Sequence, residues 1–213
     1  MRVGILGSGD VGKALARGFY SRGHDVTIGS REPGKLADFV RDHGERLAAA
    51  DFEQTARSGE LLVLATLFAG TESAIRLAGP AHFAGKVVID ATNPLRFEPG
   101  KLPSLAVSGE DSAGECVQRW LPDAKVVKAF NTVGNALFVD PHLPGGPPTM
   151  FLAGDDDGAK NKVAQIAESF GWDVLDAGPL RAARYLEAMA MLWIEYGIRT
   201  NTWQHAYKFL RER

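Results

Sequence analysis

Gly7, Gly9 and Gly12 stand in the run Gly7-Ser8-Gly9-Asp10-Val11-Gly12, at the spacing G-x-G-x-x-G. Such a run suits a diphosphate. The first glycine permits a tight turn, the second a close backbone approach to the ligand, and the third close packing of helix on strand. The first N–H groups of the helix that follows are free to face an anion, with the positive end of the helix dipole behind them. The context supports this chemistry: an apolar strand from Arg2 to Leu6 leads in, and a helical pattern leads out with Val11, Ala14, Leu15, Gly18 and Phe19 along one face. A second strand, Asp25 to Ile28, completes a βαβ unit.

The same unit bears on which dinucleotide it takes. An NAD site places Asp or Glu at the end of the second strand, about 20 residues beyond the glycines, on the ribose 2′-hydroxyl. Here that place holds Gly29-Ser30-Arg31, with Lys35 one helical turn later and Glu32 one residue beyond it. A hydroxyl, a guanidinium and an ammonium hold a 2′-phosphate, which a carboxylate would repel. The expected cofactor is therefore NADP, held by Ser30, Arg31 and Lys35. The other reading of Arg31 and Lys35 is as solvated charges at a helix start.

Further along, the continuous apolar run Leu61 to Leu67 has the length of a parallel strand covered on both faces, and Lys86 to Ala91 and Lys125 to Phe130 read as the next strands. Alternating with helical stretches, they predict an α/β doubly wound, Rossmann-type, mostly parallel sheet. Ligands of such sheets lie beyond the carboxyl ends of the strands. The groups there are Thr66 and Phe68 after the fourth strand, Thr92, Asn93 and Pro94 after the fifth, and Asn131 and Thr132 after the sixth. The uncharged polar ones suit a nicotinamide amide and ribose, although such residues are also favoured in turns.

The chain has 213 residues, 45% hydrophobic and 23% charged, with net charge −2. This balance gives no reason to expect nucleic acid or an anionic membrane as partner. No apolar run approaches the roughly 18 residues of a membrane helix, and the amino terminus enters a core strand directly, so a cytoplasmic location is expected. The single cysteine, Cys116, excludes an internal disulfide and a cysteine metal cluster.

Pro144-Gly145-Gly146-Pro147-Pro148 breaks regular structure. It predicts a division into residues 1–148, a dinucleotide-binding domain, and 149–213, a small carboxyl-terminal α/β domain. Asp155-Asp156-Asp157 precedes a helix and lacks the spacing of a calcium loop, so capping is its expected role and no metal site is expected. The helix from Arg184 to Tyr196 is apolar nearly all round. Such a helix is buried on most sides, in a groove, against a second subunit or under a flat ligand. A homodimer with Met189, Trp193 or Tyr196 in the contact is expected. Among the histidines, His142 is the one placed near a possible cleft.

These motifs resemble the NADPH-dependent reductases of the deazaflavin coenzyme F-420 and related bacterial dinucleotide-binding proteins, over nearly the whole chain. The likeness is carried by Gly7 to Gly12, Gly29-Ser30-Arg31 with Lys35, and Ala91-Thr92-Asn93-Pro94-Leu95. It continues in Lys128-Ala129-Phe130-Asn131-Thr132, Ala153 to Asp157, and Asp176-Ala177-Gly178-Pro179-Leu180. The resemblance implies that Ser8, Gly9, Asp10 and Val11 meet the pyrophosphate. It also implies that Phe68, Asn93, Asn131 and Thr132 border the nicotinamide, and that the carboxyl-terminal domain closes over the deazaflavin. Two departures fall at the hydride site. Archaeal members carry His-Thr-Ile-Pro where this chain has Asn131-Thr132-Val133-Gly134, and they lack the Thr-Asn-Pro run. The chain is also similar to the cytoplasmic domain of six-transmembrane metalloreductases, which pass hydride to a flavin.

The expected function is hydride transfer between NADPH and a small-molecule acceptor, coenzyme F-420 or a flavin. Such transfer between two cofactor rings needs no acid, base or nucleophile from the protein, so no catalytic side chain is expected. The acceptor wall is expected at the Gly178-Pro179-Leu180 turn, with Arg181, Arg184 and Arg199 meeting an acidic tail. Two alternatives share the cofactor half: a dehydrogenase or imine reductase of a small organic substrate, and an NADPH sensor without turnover.

Overall fold

The computed structural model describes residues 1–212. The chain opens with β1 (Arg2–Leu6), α1 (Asp10–Ser21) and β2 (Asp25–Gly29), followed by a 3-10 turn at Pro33–Leu36 and the short α2 (Ala37–Arg41). Then come β3 (Leu47–Ala50), α3 (Phe52–Ser58), β4 (Leu61–Leu64), α4 (Phe68–Ala78) and β5 (Val87–Asp90). A small hairpin, β6 (Leu95–Arg96) and β7 (Ser104–Leu105), precedes α5 (Ala113–Trp120) and β8 (Lys125–Lys128). The last elements are β9 (Thr149–Gly154), α6 (Asp157–Ser169), β10 (Asp173–Asp176) and α7 (Ala183–Thr200).

Eight strands form one sheet in the order β10-β9-β8-β5-β4-β1-β2-β3. From β3 to β8 all neighbours are parallel, with helices on both faces, which is the doubly wound arrangement. The direction of the chain winds outward from β1 both ways, so the crevice for a ligand opens between the carboxyl ends of β1 and β4. The four residues of β4, Leu61 to Leu64, are fully buried, as a strand covered on both faces requires.

The proline- and glycine-rich stretch at 144–148 marks a reversal of direction. β9 pairs with β8 antiparallel, Lys128 opposite Ala153, and β10 then runs parallel to β9. Residues 149–176 thereby extend the same sheet, and Met150, Leu152, Val163, Phe170 and Trp172 share a core with Ile5, Phe19 and Val127.

Helix starts follow local chemistry. Asp51, Ser112 and Asp156 each accept from a backbone N–H three residues on, at Gln54, Glu115 and Ala159. Asp156 is thus a cap, as its position before a helix implies. Helix α7 is longer than the sequence suggests, and residues 203–209 fold back along it and beside β9. Trp193 Nε1 donates to the His205 carbonyl at 2.7 Å, and Tyr207 OH donates to the Met189 carbonyl at 2.8 Å. Trp193 is therefore buried by its own chain, stacked on His205, while Tyr185, Leu192 and Tyr196 remain exposed.

Candidate functional site

The glycine turn is built for close packing at two of its three glycines. A Cβ on Gly7, whose φ is +127°, would lie 2.3 Å from the Ala65 carbonyl oxygen. One on Gly12 would lie 2.0 Å from the Gly7 carbonyl oxygen. Both positions exclude a side chain. Gly9 differs: no protein atom lies within 4 Å of the Cβ it lacks. It is also the N-cap of α1, and no side chain caps that helix. The amide end of α1 consequently faces open space at Gly9, where a diphosphate can approach the backbone. The residues present fit the phosphates of a dinucleotide.

Ser8 Oγ donates to Ser30 Oγ at 3.3 Å, and Ser30 Oγ also accepts from the Glu32 N–H at 3.1 Å. These bonds join the glycine turn to the end of β2. Arg31 is exposed, and Lys35 pairs with Glu32 at 2.8 Å. That hydrogen bond from Lys35 holds the Glu32 carboxyl below its ordinary value. The acid just beyond β2 is thus turned to a cation, and Arg31 is left to the solvent side.

The strand tips beyond β5 and β8 are locked to each other. Asn131 Nδ2 donates to Asn93 Oδ1 at 3.0 Å and to the Leu186 carbonyl at 3.1 Å. Asn93 Nδ2 donates back to the Asn131 carbonyl at 2.8 Å. Thr92 and Thr132 are both buried, and Thr92 turns inward, its N–H and Oγ both donating to Asp90 Oδ1. Pro94 is buried and its carbonyl accepts from the Ala106 N–H, which closes the β6–β7 hairpin. At the tip of β4, Thr66 Oγ shares a hydrogen bond with Thr71 Oγ at 2.8 Å. Phe68 leans on Trp120 of α5, their centroids 5.8 Å apart, which leaves Leu67 as the exposed apolar residue there.

Beneath these tips lies a buried ionic cluster that the sequence did not reveal. Lys128, at the end of β8, is in register with Asp90, at the end of β5. Its Nζ lies 2.7 Å from Asp90 Oδ2, 2.8 Å from Glu187 Oε1 and 2.8 Å from the Thr92 carbonyl. The two carboxylates are ion-paired with the ammonium, and the Thr92 carbonyl accepts a hydrogen bond from it. Glu187, from α7, also accepts from the N–H groups of Ala113 and Gly114, the first turn of α5. Burial works against the charge on Lys128, but the two carboxylates outweigh it and raise its pKa. Burial raises the Glu187 carboxyl, against the pull of Lys128. The available sequence signals were weak ones: a lysine ending the apolar run Lys125-Val126-Val127-Lys128, and a lone acid at the start of an apolar helix.

Three expected features lie elsewhere. Because β9 is antiparallel to β8, the residues after β9 and β10 fall at the amino end of β8. There Lys125 pairs with Asp156, and the Leu180 N–H donates to Asp155. Pro179 and Leu180 of the expected turn line an open cavity of about 920 Å³ with Lys125, Arg119 and Arg181, at the opposite end of β8 from Asn131. The turn cannot wall the strand tips. Arg184 is committed to Glu115, and Arg199 lies over the Tyr196 ring. His142 is exposed on the loop after Asp140, which Arg22 anchors at the far end of α1 from the glycine turn. What does reach the tips is α7, through Leu186 and Glu187, with the β6–β7 hairpin packed beside it. Cys116 is half-buried, and burial followed by the nearby Asp111 charge pushes its thiol up to about 11, which makes it a poor nucleophile.

The sequence model of a family described as NADP oxidoreductase, coenzyme F-420-dependent, matches residues 2–94. A crystal structure from Arthrobacter sp. FB24, provisionally named an F-420-dependent NADP reductase, is 37% identical. It covers 99% of this chain and 100% of its own, with a TM-score of 0.94. The chain belongs to the F-420-dependent NADP oxidoreductase family. The family model ends at Pro94, whereas the Arthrobacter likeness extends over the β8 tip and α7. The F-420-dependent NADP reductase of Methanocaldococcus jannaschii is 29% identical over 211 residues, 93% of each protein. The metalloreductase STEAP3 of Rattus norvegicus is 31% identical over 191 residues, 89% of this chain but 36% of the rat protein, so this family member spans little more than a third of that relative. Among the described residues no helix is long and apolar enough to cross a membrane.

Proposed function

We propose that this protein transfers a hydride between NADPH and a deazaflavin of the coenzyme F-420 type, with free flavin as a slower substitute. The observation that carries this reading is the uncapped amide end of α1, open to solvent at Gly9 beside the Ser8–Ser30 bond. Family membership supplies the acceptor class. In this reading Gly7, Ser8, Gly9, Asp10, Val11 and Gly12 hold the pyrophosphate, while Ser30, Arg31 and Lys35 hold the 2′-phosphate. Thr66, Phe68, Asn93, Pro94, Asn131 and Thr132 border the nicotinamide end.

The bound nicotinamide supplies the hydride chemistry. The chain's own work is placement: two flat rings must meet at about 3–3.5 Å, and water must be kept out. Residues 1–148 would hold the cofactor. Residues 149–213 would contribute the acceptor wall, through α7 between Leu186 and Trp193 rather than through the 178–180 turn. With Trp193 covered by its own chain, the homodimer contact falls to Tyr185, Leu192 and Tyr196. We place the protein in the cytoplasm.

The test is the absorbance of NADPH mixed with purified protein and each acceptor in turn. Oxidised deazaflavin should bleach with consumption of NADPH, free flavin should react slowly, and small ketones and imines should not react. Ready reduction of an imine with deazaflavin untouched would replace this reading with that of an imine reductase.

A further inference from the structure

Lys128 has no solvent exposure, and its single ammonium joins four elements. It touches Asp90 and the Thr92 carbonyl at the β5 tip, and Glu187 on α7, whose carboxylate in turn receives two N–H groups from α5. One residue from Glu187, the Leu186 carbonyl accepts from Asn131 at the β8 tip. Taking three charged groups out of water is costly before their attraction is counted, and well-packed apolar residues often serve stability as well or better. A buried cluster of this kind is a poor way merely to stabilise a sheet. What it does that apolar packing would not is fix direction. One ammonium held between a carbonyl and two carboxylates ties the positions of all three to one another.

We propose that Lys128 and Glu187 are positioning residues that lock α7 against the strand tips carrying Thr92, Asn93 and Asn131, so that the nicotinamide end of the cofactor site exists in one arrangement. The proposal rests on the NADP reading and extends it to residues that touch neither ring. The adenine end of the site, at Gly9, Ser30 and Arg31, is carried by β1, α1 and β2. None of these elements contributes a group to the cluster.

The two ends can therefore be separated by ligand. Adenosine 2′,5′-bisphosphate reports on the adenine end alone, and NADPH reports on both. Lys128→Met leaves two buried carboxylates and is the obvious variant. Asp90→Asn combined with Lys128→Met is the safer one, since Glu187 keeps its two α5 donors and the amide oxygen introduced at position 90 can still accept from Thr92. In a folded variant, calorimetric titration should give an unchanged Kd for adenosine 2′,5′-bisphosphate and a severalfold weaker Kd for NADPH. Hydride transfer at saturating NADPH should fall on the order of 100-fold, the cost of misplacing a reacting group by about 1 Å.

Equal changes for the two ligands, or no change for either with full hydride transfer, would overturn the proposal. So would failure of the double variant to fold, because the cluster would then be holding the sheet together rather than setting a site. Wild-type protein that binds neither ligand would instead overturn the NADP reading.

Discussion

Asn93 and Asn131, on neighbouring strand tips, each donate to the other: Asn131 Nδ2 to Asn93 Oδ1 at 3.0 Å, and Asn93 Nδ2 to the Asn131 carbonyl at 2.8 Å. The pairing fixes which way both amides face. A flipped Asn131 would set oxygen against oxygen at Asn93 and at Leu186. Asn131→Ala leaves Asn93 Oδ1 without its donor and removes the second bond to the Leu186 carbonyl, which as a carbonyl inside α7 keeps its helical one. The orphaned oxygen costs about 1–3 kcal/mol. Urea denaturation without cofactor should show the loss. A variant as stable as wild type would mean that water replaces the amide at no cost.

The three glycines of the turn should separate by experiment. Gly12→Ala would place a methyl 2.0 Å from the Gly7 carbonyl oxygen and should lower the melting temperature sharply or abolish folding. Gly9→Ala meets nothing in the protein and should leave the melting temperature unchanged. It should nevertheless weaken NADPH by about 1.4 kcal/mol or more, a tenfold rise in Kd, since the methyl enters the space through which a diphosphate reaches the amides. Unchanged NADPH binding in Gly9→Ala would move the phosphates away from this turn.

The sheet was legible in the sequence because its signals are local and mutually consistent. Leu61 to Leu64 and Val87 to Ile89 are apolar runs, and Asp51, Ser112 and Asp156 are capping residues placed immediately before their helices. The glycine turn was legible for the same reason. The acceptor side was not. Its placement depends on the antiparallel entry of β9, which sends Gly178 to Arg181 to the wrong end of β8, and periodicity carries no sign of strand direction. The ionic cluster was invisible because Asp90, Lys128 and Glu187 are far apart along the chain, and each of these residues taken alone reads as a strand or helix end.

Arg31 bears on cofactor choice. Lys35 is shared with Glu32, which leaves the exposed Arg31 guanidinium to meet a 2′-phosphate beside Ser30. Arg31→Ala should weaken NADPH by about 1.5–3 kcal/mol, the scale of a hydrogen bond to a charged group, and leave NADH nearly unchanged. Tryptophan fluorescence titration with both cofactors distinguishes the outcomes. Equal losses would assign Arg31 to fold stability instead.

Glu115 and Arg184 link α5 to the start of α7, and their pairing carries a pH signature. Arg184 Nε donates to Glu115 Oε2 at 2.8 Å and Nη2 donates to Oε1 at 2.6 Å. Those bonds, opposed by burial and aided by Ser112, hold the Glu115 carboxyl below its ordinary 4.5. A carboxyl with a lowered folded-state pKa binds its proton more readily when the chain is unfolded. The stability it contributes is therefore complete above pH 4.5 and is lost as pH falls through the folded value. Glu115→Gln should cost on the order of 1 kcal/mol at neutral pH, a charged hydrogen bond discounted for the solvent that reaches the guanidinium. The gap between variant and wild type should then close as the pH is lowered below 4.5. Denaturation midpoints measured from neutral pH into the acid range read this directly. A gap that stays constant through that range would mean that Glu115 acts by shape and neutral hydrogen bonding rather than by its charge.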